Sequence, residues 1–159
     1  MDPVENALEE LPHRIAEEVE RAGLMVALAE SLTCGNLAGA LGKGGNSGEW
    51  LSGGIVAYQT EIKQTVLGVS EGPVVSARCA EEMAAGAAKL FNADLTIATT
   101  GAGGPGPLEG QPAGTVFIGW SLFGETGSAE YSFDGEPAEV LEKTEAAALQ
   151  KLLELAQKV

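Results

Sequence analysis

Three places in this chain put reactive side chains where an apolar run breaks off. Ser31 follows Leu24-Met25-Val26-Ala27-Leu28-Ala29, a near-continuous apolar run of the kind expected for a strand covered on both faces. After it, Glu30-Ser31-Leu32-Thr33-Cys34-Gly35 leads into the run Asn36–Leu41, which reads as a strand-to-helix turn. The Ser31 or Thr33 hydroxyl can cap that helix, whose first N–H groups are free, and such a corner can also hold an anion or a developing oxyanion. The second place is Tyr58 and Lys63, which bracket the junction between Gly53–Tyr58, a short strand, and Thr60–Gly68, a short helix stopped by glycine. A lysine near a helix start is unfavourable to the macrodipole, where a carboxylate stabilises. The third is Thr99-Thr100, which ends the strand Asp94–Thr100 and opens into Gly101-Ala102-Gly103-Gly104-Pro105-Gly106-Pro107. Such a loop lets a ligand approach backbone amides closely. Each place also has a plain structural reading: a helix cap, a solvated lysine, a wide turn between strands.

Composition narrows the chemistry. Nine Lys and Arg against 23 Asp and Glu give a net charge of −14, which repels a phosphate backbone and gains little from counterion release, so nucleic acid is not the expected ligand. An anionic substrate then needs a local device such as helix N-termini, a backbone nest or one or two placed lysines. Two cysteines, Cys34 and Cys79, form neither a disulfide framework nor a CxxC pair, and no metal site is expected. The sole histidine, His13, lies among Glu and Arg in the first helical segment and reads as solvated surface. A hydrolytic nucleophile must therefore use Lys, Tyr or a carboxylate as its base. Two phosphate motifs fail on inspection. Gly39 to Gly44 lacks the G-x-x-x-x-G-K-[ST] spacing, and the glycines after Thr100 are followed by Pro105, Pro107 and Pro112, which forbid the helix a dinucleotide fingerprint requires.

The elements that must position these groups follow from periodicity. Val4, Leu8, Leu11, Ile15 and Val19 recur at helical spacing from about Pro3 to Ala22, with Gly23 as the stop. Gly42–Gly48 reads as loop, Ser76 caps a helix over Ala77–Phe91, and Pro137 to about Lys158 closes the chain as another helix. Gly114–Leu122 and Ser128–Phe133 read as strands joined through Phe123–Gly127, a hairpin. At 159 residues with no long linker, positions 1–159 are expected to be one domain. The order predicts a three-layer α/β/α sandwich around a mostly parallel five-stranded sheet with one antiparallel strand, and a ligand beyond the carboxyl ends of the strands. No apolar run reaches the length of a membrane span and the acidic N-terminus is unlike a signal peptide, so the expected place is the cytoplasm. The edge strand and alanine-rich faces suggest a homo-oligomer.

Taken together, Ala29-Glu30-Ser31-Leu32-Thr33, Gly45-Asn46-Ser47 with Gly53–Tyr58, Lys63 with Leu67-Gly68-Val69, and Thr100-Gly101 through Gly114-Thr115-Val116 resemble the C-terminal domain of the CinA family over roughly Leu24 to Gly135. Stand-alone members of that family are nicotinamide-nucleotide amidohydrolases, which convert nicotinamide mononucleotide to nicotinate mononucleotide and ammonia. The resemblance implies Ser31 as nucleophile and Lys63, assisted by Tyr58, as base. It implies substrate contacts from Glu30, Thr33, Cys34, Gly35, Thr99, Thr100, Gly101, Ala102 and Gly103. Amides around Thr33–Gly35 or around Thr100–Gly101 would hold the oxyanion and the other set the phosphate, with no metal or organic cofactor. Cys34 stands where relatives usually have glycine. Where the family commonly carries Gly-Asp-Arg and a further arginine, this chain has Asp134-Gly135-Glu136-Pro137 and Val140-Leu141-Glu142. A domain of the same fold that binds a nucleotide or a protein without turnover is the alternative.

Overall fold

The computed structural model describes residues 2–159. Helix α1 (Pro3–Ala22) opens with a capping box, in which Asp2 accepts from the Glu5 N–H and the Glu5 carboxylate from the Asp2 N–H, and stops at a left-handed Gly23. There follow β1 (Val26–Glu30), α2 (Asn36–Leu41), α3 (Ser47–Trp50), β2 (Leu51–Val56), α4 (Thr60–Leu67), α5 (Ala77–Phe91), β3 (Leu95–Gly101), β4 (Thr115–Leu122), β5 (Glu125–Ser132) and α6 (Pro137–Gln157). The sheet runs in the order β2-β1-β3-β4-β5. Strand β1 is parallel to both β2 and β3, while β4 runs antiparallel to β3 and β5, so one strand is reversed, as the sequence predicts. No helix among the described residues is long and apolar enough to cross a membrane.

The two faces of the sheet differ, and the difference places the site. Residues two apart on a strand share a face. Val26 and Leu28 of β1, Leu95 and Ile97 of β3, and Val116 and Ile118 of β4 fill a large aliphatic core with Leu11, Ile15 and Val19 of α1 and Leu149, Leu152 and Leu153 of α6. On β1 and β3 the intervening positions are small, and Ala29 and Ala98 pack with Cys79, Met83, Ala84 and Ala87 of α5 and Leu67 of α4, while Phe117 of β4 packs with Val75 and Ala80. Small residues let α5 sit close: a Cβ on Gly119 of β4 would fall 2.2 Å from the Ala80 carbonyl oxygen, so only glycine fits there. Thr96 fixes the layer by donating its hydroxyl to the Ala84 carbonyl, 2.7 Å away.

Three boundaries depart from the sequence reading. The glycine-rich stretch after α2 contains the single turn α3, held because Trp50 is buried and its indole N–H donates to the Gly45 carbonyl at 2.9 Å. Strand β2 starts at Leu51 and ends at Val56, two residues before Tyr58, because β1 pairs from Val26↔Leu51 to Glu30↔Val56. The hairpin is tighter than its composition suggests. Phe123 and Gly124 both have positive φ, 49° and 85°, and Leu122 pairs directly with Glu125, which is the two-residue turn matched to strand twist.

Candidate active site

Ser31 is the first residue beyond β1, and its N–H continues the β1–β3 ladder by donating to the Thr99 carbonyl at 3.1 Å. By strand alternation it shares the face of Ala29, toward α4 and α5, and Thr100 shares the face of Ala98. Lys63 reaches the same layer from α4. These groups meet in a cavity of about 850 Å³ at the carboxyl ends of β1 and β3, lined among others by Ser31, Leu32, Tyr58, Lys63, Val75, Thr100 and the loop Gly101–Gly104. That is the location the fold class predicts.

Lys63 is buried, only 2% exposed. Its amine donates to the Tyr58 carbonyl at 2.8 Å, and no carboxylate pairs with it among the described residues. Loss of solvent lowers its pKa below the ordinary lysine value, against a smaller upward pull from Cys79 and Glu109. The contact that Tyr58 makes with Lys63 is thus through its backbone carbonyl; Tyr58 itself lines the cavity and is 63% exposed. Ser31, 9% exposed, has a hydroxyl with no hydrogen-bond partner among the described residues. The Leu32, Thr33, Gly103 and Gly104 N–H groups are likewise unengaged by protein acceptors there, and Leu32, Gly103 and Gly104 line the cavity.

The remaining expected contacts divide by face. Neither Ser31 nor Thr33 caps α2. Glu30 does so, its two carboxylate oxygens accepting from the Leu37 and Ala38 N–H groups at 2.9 and 3.0 Å. Buried and committed to that cap, the Glu30 side chain is not in the cavity wall. Thr33 and Thr99 are fully buried and share a hydroxyl hydrogen bond of 2.9 Å beneath Ser31, so their side chains support the turn and do not face a ligand. Cys34, left-handed at φ 48° and exposed, lies outside the cavity lining, and Gly35 borders a separate depression with Leu8 and Lys43. Thr100, Gly101, Ala102 and Gly103 do line the cavity, with the Thr100 hydroxyl donating to the Val74 carbonyl at 2.7 Å.

Sequence reasoning missed the far wall. Val74, Val75, Leu108, Glu109, Pro137 and Leu141 all face the cavity. Pro137 and Leu141 are the stretch where the resemblance leads one to expect arginine, and Lys63 is the one cation in the wall. Among the described residues no three His, Cys, Asp or Glu side chains converge as a metal site.

A sequence profile of the CinA C-terminal domain matches residues 8–156. The chain belongs to the CinA C-terminal domain family. Within that family it is 36% identical over 160 residues to the protein YdeJ of Escherichia coli K12, covering 97% of this chain and 91% of YdeJ. It is 40% identical over 138 residues to a Bacillus pumilus protein named for competence-damage inducibility, covering 84% of this chain and 33% of that protein. The chain spans about a third of the length of such Bacillus and Listeria relatives. A CinA superfamily structure from E. coli superposes with a TM-score of 0.90 at 35% identity, over 93% of this chain and 90% of that one. The competence/damage inducible protein CihA of Agrobacterium tumefaciens gives 0.87 at 33% identity, over 94% and 95%.

Proposed function

We propose that this CinA domain is an amidohydrolase that uses Ser31 as nucleophile and Lys63 as base on the carboxamide of a nicotinamide nucleotide. The observation that carries the reading is a buried lysine of lowered pKa lining the same cavity as a serine at a strand end. A neutral amine can take the serine proton as Oγ attacks the carboxamide carbon. The oxyanion is met by N–H groups after Ser31 or in the Gly103–Gly104 segment. Collapse of the intermediate breaks the C–N bond, Lys63 returns the proton to the leaving nitrogen, and ammonia departs. Water, deprotonated by the same amine, then cleaves the ester to the acid and regenerates Ser31.

Two observations favour a second reading, in which the cavity binds a nucleotide or a protein segment without turnover: Lys63 donates to the Tyr58 carbonyl and not to Ser31, and the wall has no arginine. Unliganded sites often tighten such contacts only when substrate arrives, so a rate decides between them. Ammonia release is measured with nicotinamide mononucleotide, the riboside and nicotinamide, each repeated with Ser31→Ala. Turnover of the mononucleotide that falls by about a thousandfold or more in the variant is expected. Binding with no ammonia from any of the three would establish the second reading. Turnover that survives in Ser31→Ala would remove the serine mechanism.

A further inference from the structure

Glu109 sits where a turn would ordinarily choose another residue. Leu108 and Gln111 exchange both backbone hydrogen bonds, at 3.0 and 2.9 Å, around Glu109 and Gly110, whose φ values are 52° and 76°. Such two-residue turns favour Asn, Asp or Gly at the first position because φ is positive there. A glutamate in that conformation is strained, so its presence there directs attention to the side chain. That side chain crosses to a different segment. Oε1 accepts from the Val74 N–H at 2.9 Å and the Val75 N–H at 2.6 Å, and Oε2 from the Val74 N–H at 3.0 Å. These are charge-assisted bonds, and neither amide has another acceptor among the described residues.

The segment held in this way is itself fastened to α5. Arg78 donates to the Pro73 carbonyl at 2.8 Å and pairs with Glu82 at 2.8 Å, while Glu82 accepts from the Ser70 N–H and hydroxyl. Val74, Val75, Leu108 and Glu109 are all cavity wall. The loop from Ala102 to Ala113 is thereby tied through one carboxylate to the helix that backs the sheet.

We propose that Glu109 is a positioning residue of this site, clamping the glycine-rich loop to Val74–Val75 as a fixed wall and presenting its charge to the Lys63 amine. The part that concerns catalysis rests on the amidohydrolase reading; the clamp does not. Lys63 is acted on by the Cys79 thiol from α5 and the Glu109 carboxylate from the loop, with the Tyr58 phenol in the same wall. Glu109 works against the effect of burial, so removing its charge makes the amine easier to deprotonate.

Two variants separate the clamp from the charge. Glu109→Gln keeps an Oε1 that can accept from both amides but has no charge; Glu109→Ala has neither. Amide exchange at Val74 and Val75 and the titration of 13C-labelled lysine are followed by NMR alongside kcat, KM and the pH profile. In Glu109→Ala, exchange of the two amides speeds about tenfold or more and KM rises by a similar factor, as expected for lost hydrogen bonds to a charged group. In Glu109→Gln, exchange stays near the parent value while the Lys63 titration and the acid limb of kcat/KM move to lower pH. Unchanged exchange in Glu109→Ala would overturn the clamp, and an unmoved Lys63 titration in Glu109→Gln would overturn the charge role. If both NMR results hold and no carboxamide is hydrolysed by the parent protein, Glu109 keeps its assignment and the amidohydrolase reading falls.

Discussion

Lys63 carries an energetic burden that a surface lysine does not. A buried ammonium with one carbonyl acceptor is poorly solvated, which is why its pKa lies below the ordinary value. Between the folded-state pKa and 10.5 the unfolded chain binds the proton more tightly, so stability rises with pH through that window. Cys79 acts with the opposite sign. Burial pushes its pKa up to about 11 from 9.0, so the folded state keeps a proton the unfolded chain loses, and stability falls above pH 9. Replacing Lys63 by Met keeps the volume and removes the charge. Lys63→Met is expected to abolish turnover while stabilising the fold by roughly 1–3 kcal/mol near neutrality, measured by urea unfolding below pH 9, where Cys79 does not interfere. A loss of stability would mean that the amine is better satisfied than its single bond implies. The sequence exposed Lys63 through its awkward place near a helix start. It could not expose Glu109, because that carboxylate's partners lie 34 and 35 residues away and belong to no local pattern.

The elements place these residues through strand parity, and parity explains which site residues were legible. Glu30 and Thr99 are register partners in β1 and β3. They sit one position away from Ser31 and Thr100, which is enough to turn them to the opposite face. Sequence reading located both strand ends, but grouped neighbours that alternation separates. Strand and helix existence followed from periodicity; boundaries shifted where tertiary pairing outweighed composition, as at Leu51 and Glu125. The other control is the seat of α4 on α5. A Cβ on Gly86 would fall 2.1 Å from the Leu67 carbonyl oxygen and 2.8 Å from its carbon. In an exposed helix Gly→Ala gains about 1 kcal/mol of propensity. Here the obstacle is backbone, which cannot rotate aside, and overpacking costs about 1–3 kcal/mol or more. Gly86→Ala should therefore lower the unfolding midpoint and, by displacing the end of α4 that follows Lys63, reduce kcat. An unchanged melting curve would show that α4 can slide at no cost.

At the scale of the molecule, the net charge of −14 surrounds a cavity whose wall holds one cation. An anionic substrate approaches against that field, and added salt screens the repulsion over about 10 Å at 0.1 M. KM for nicotinamide mononucleotide should fall severalfold as salt rises from ~0.02 to ~0.2 M, while KM for the cationic riboside rises and that for nicotinamide stays level. A mononucleotide KM that rises with salt would place the phosphate beside Lys63 in a locally positive site. The cavity also draws on widely separated stretches of chain: Ser31 after β1, Lys63 in α4, Glu109 before β4, and Pro137 and Leu141 in α6. A nascent polypeptide has made Ser31 and Lys63 long before the strands and final helix that enclose them leave the ribosome, and the parallel pairing of β1 with β3 must wait for residue 95. Domains form as units during synthesis. The enclosed cavity is therefore withheld until translation has passed the first turns of α6, and a message truncated before that point yields a polypeptide that carries Ser31 and Lys63 but no chamber around them.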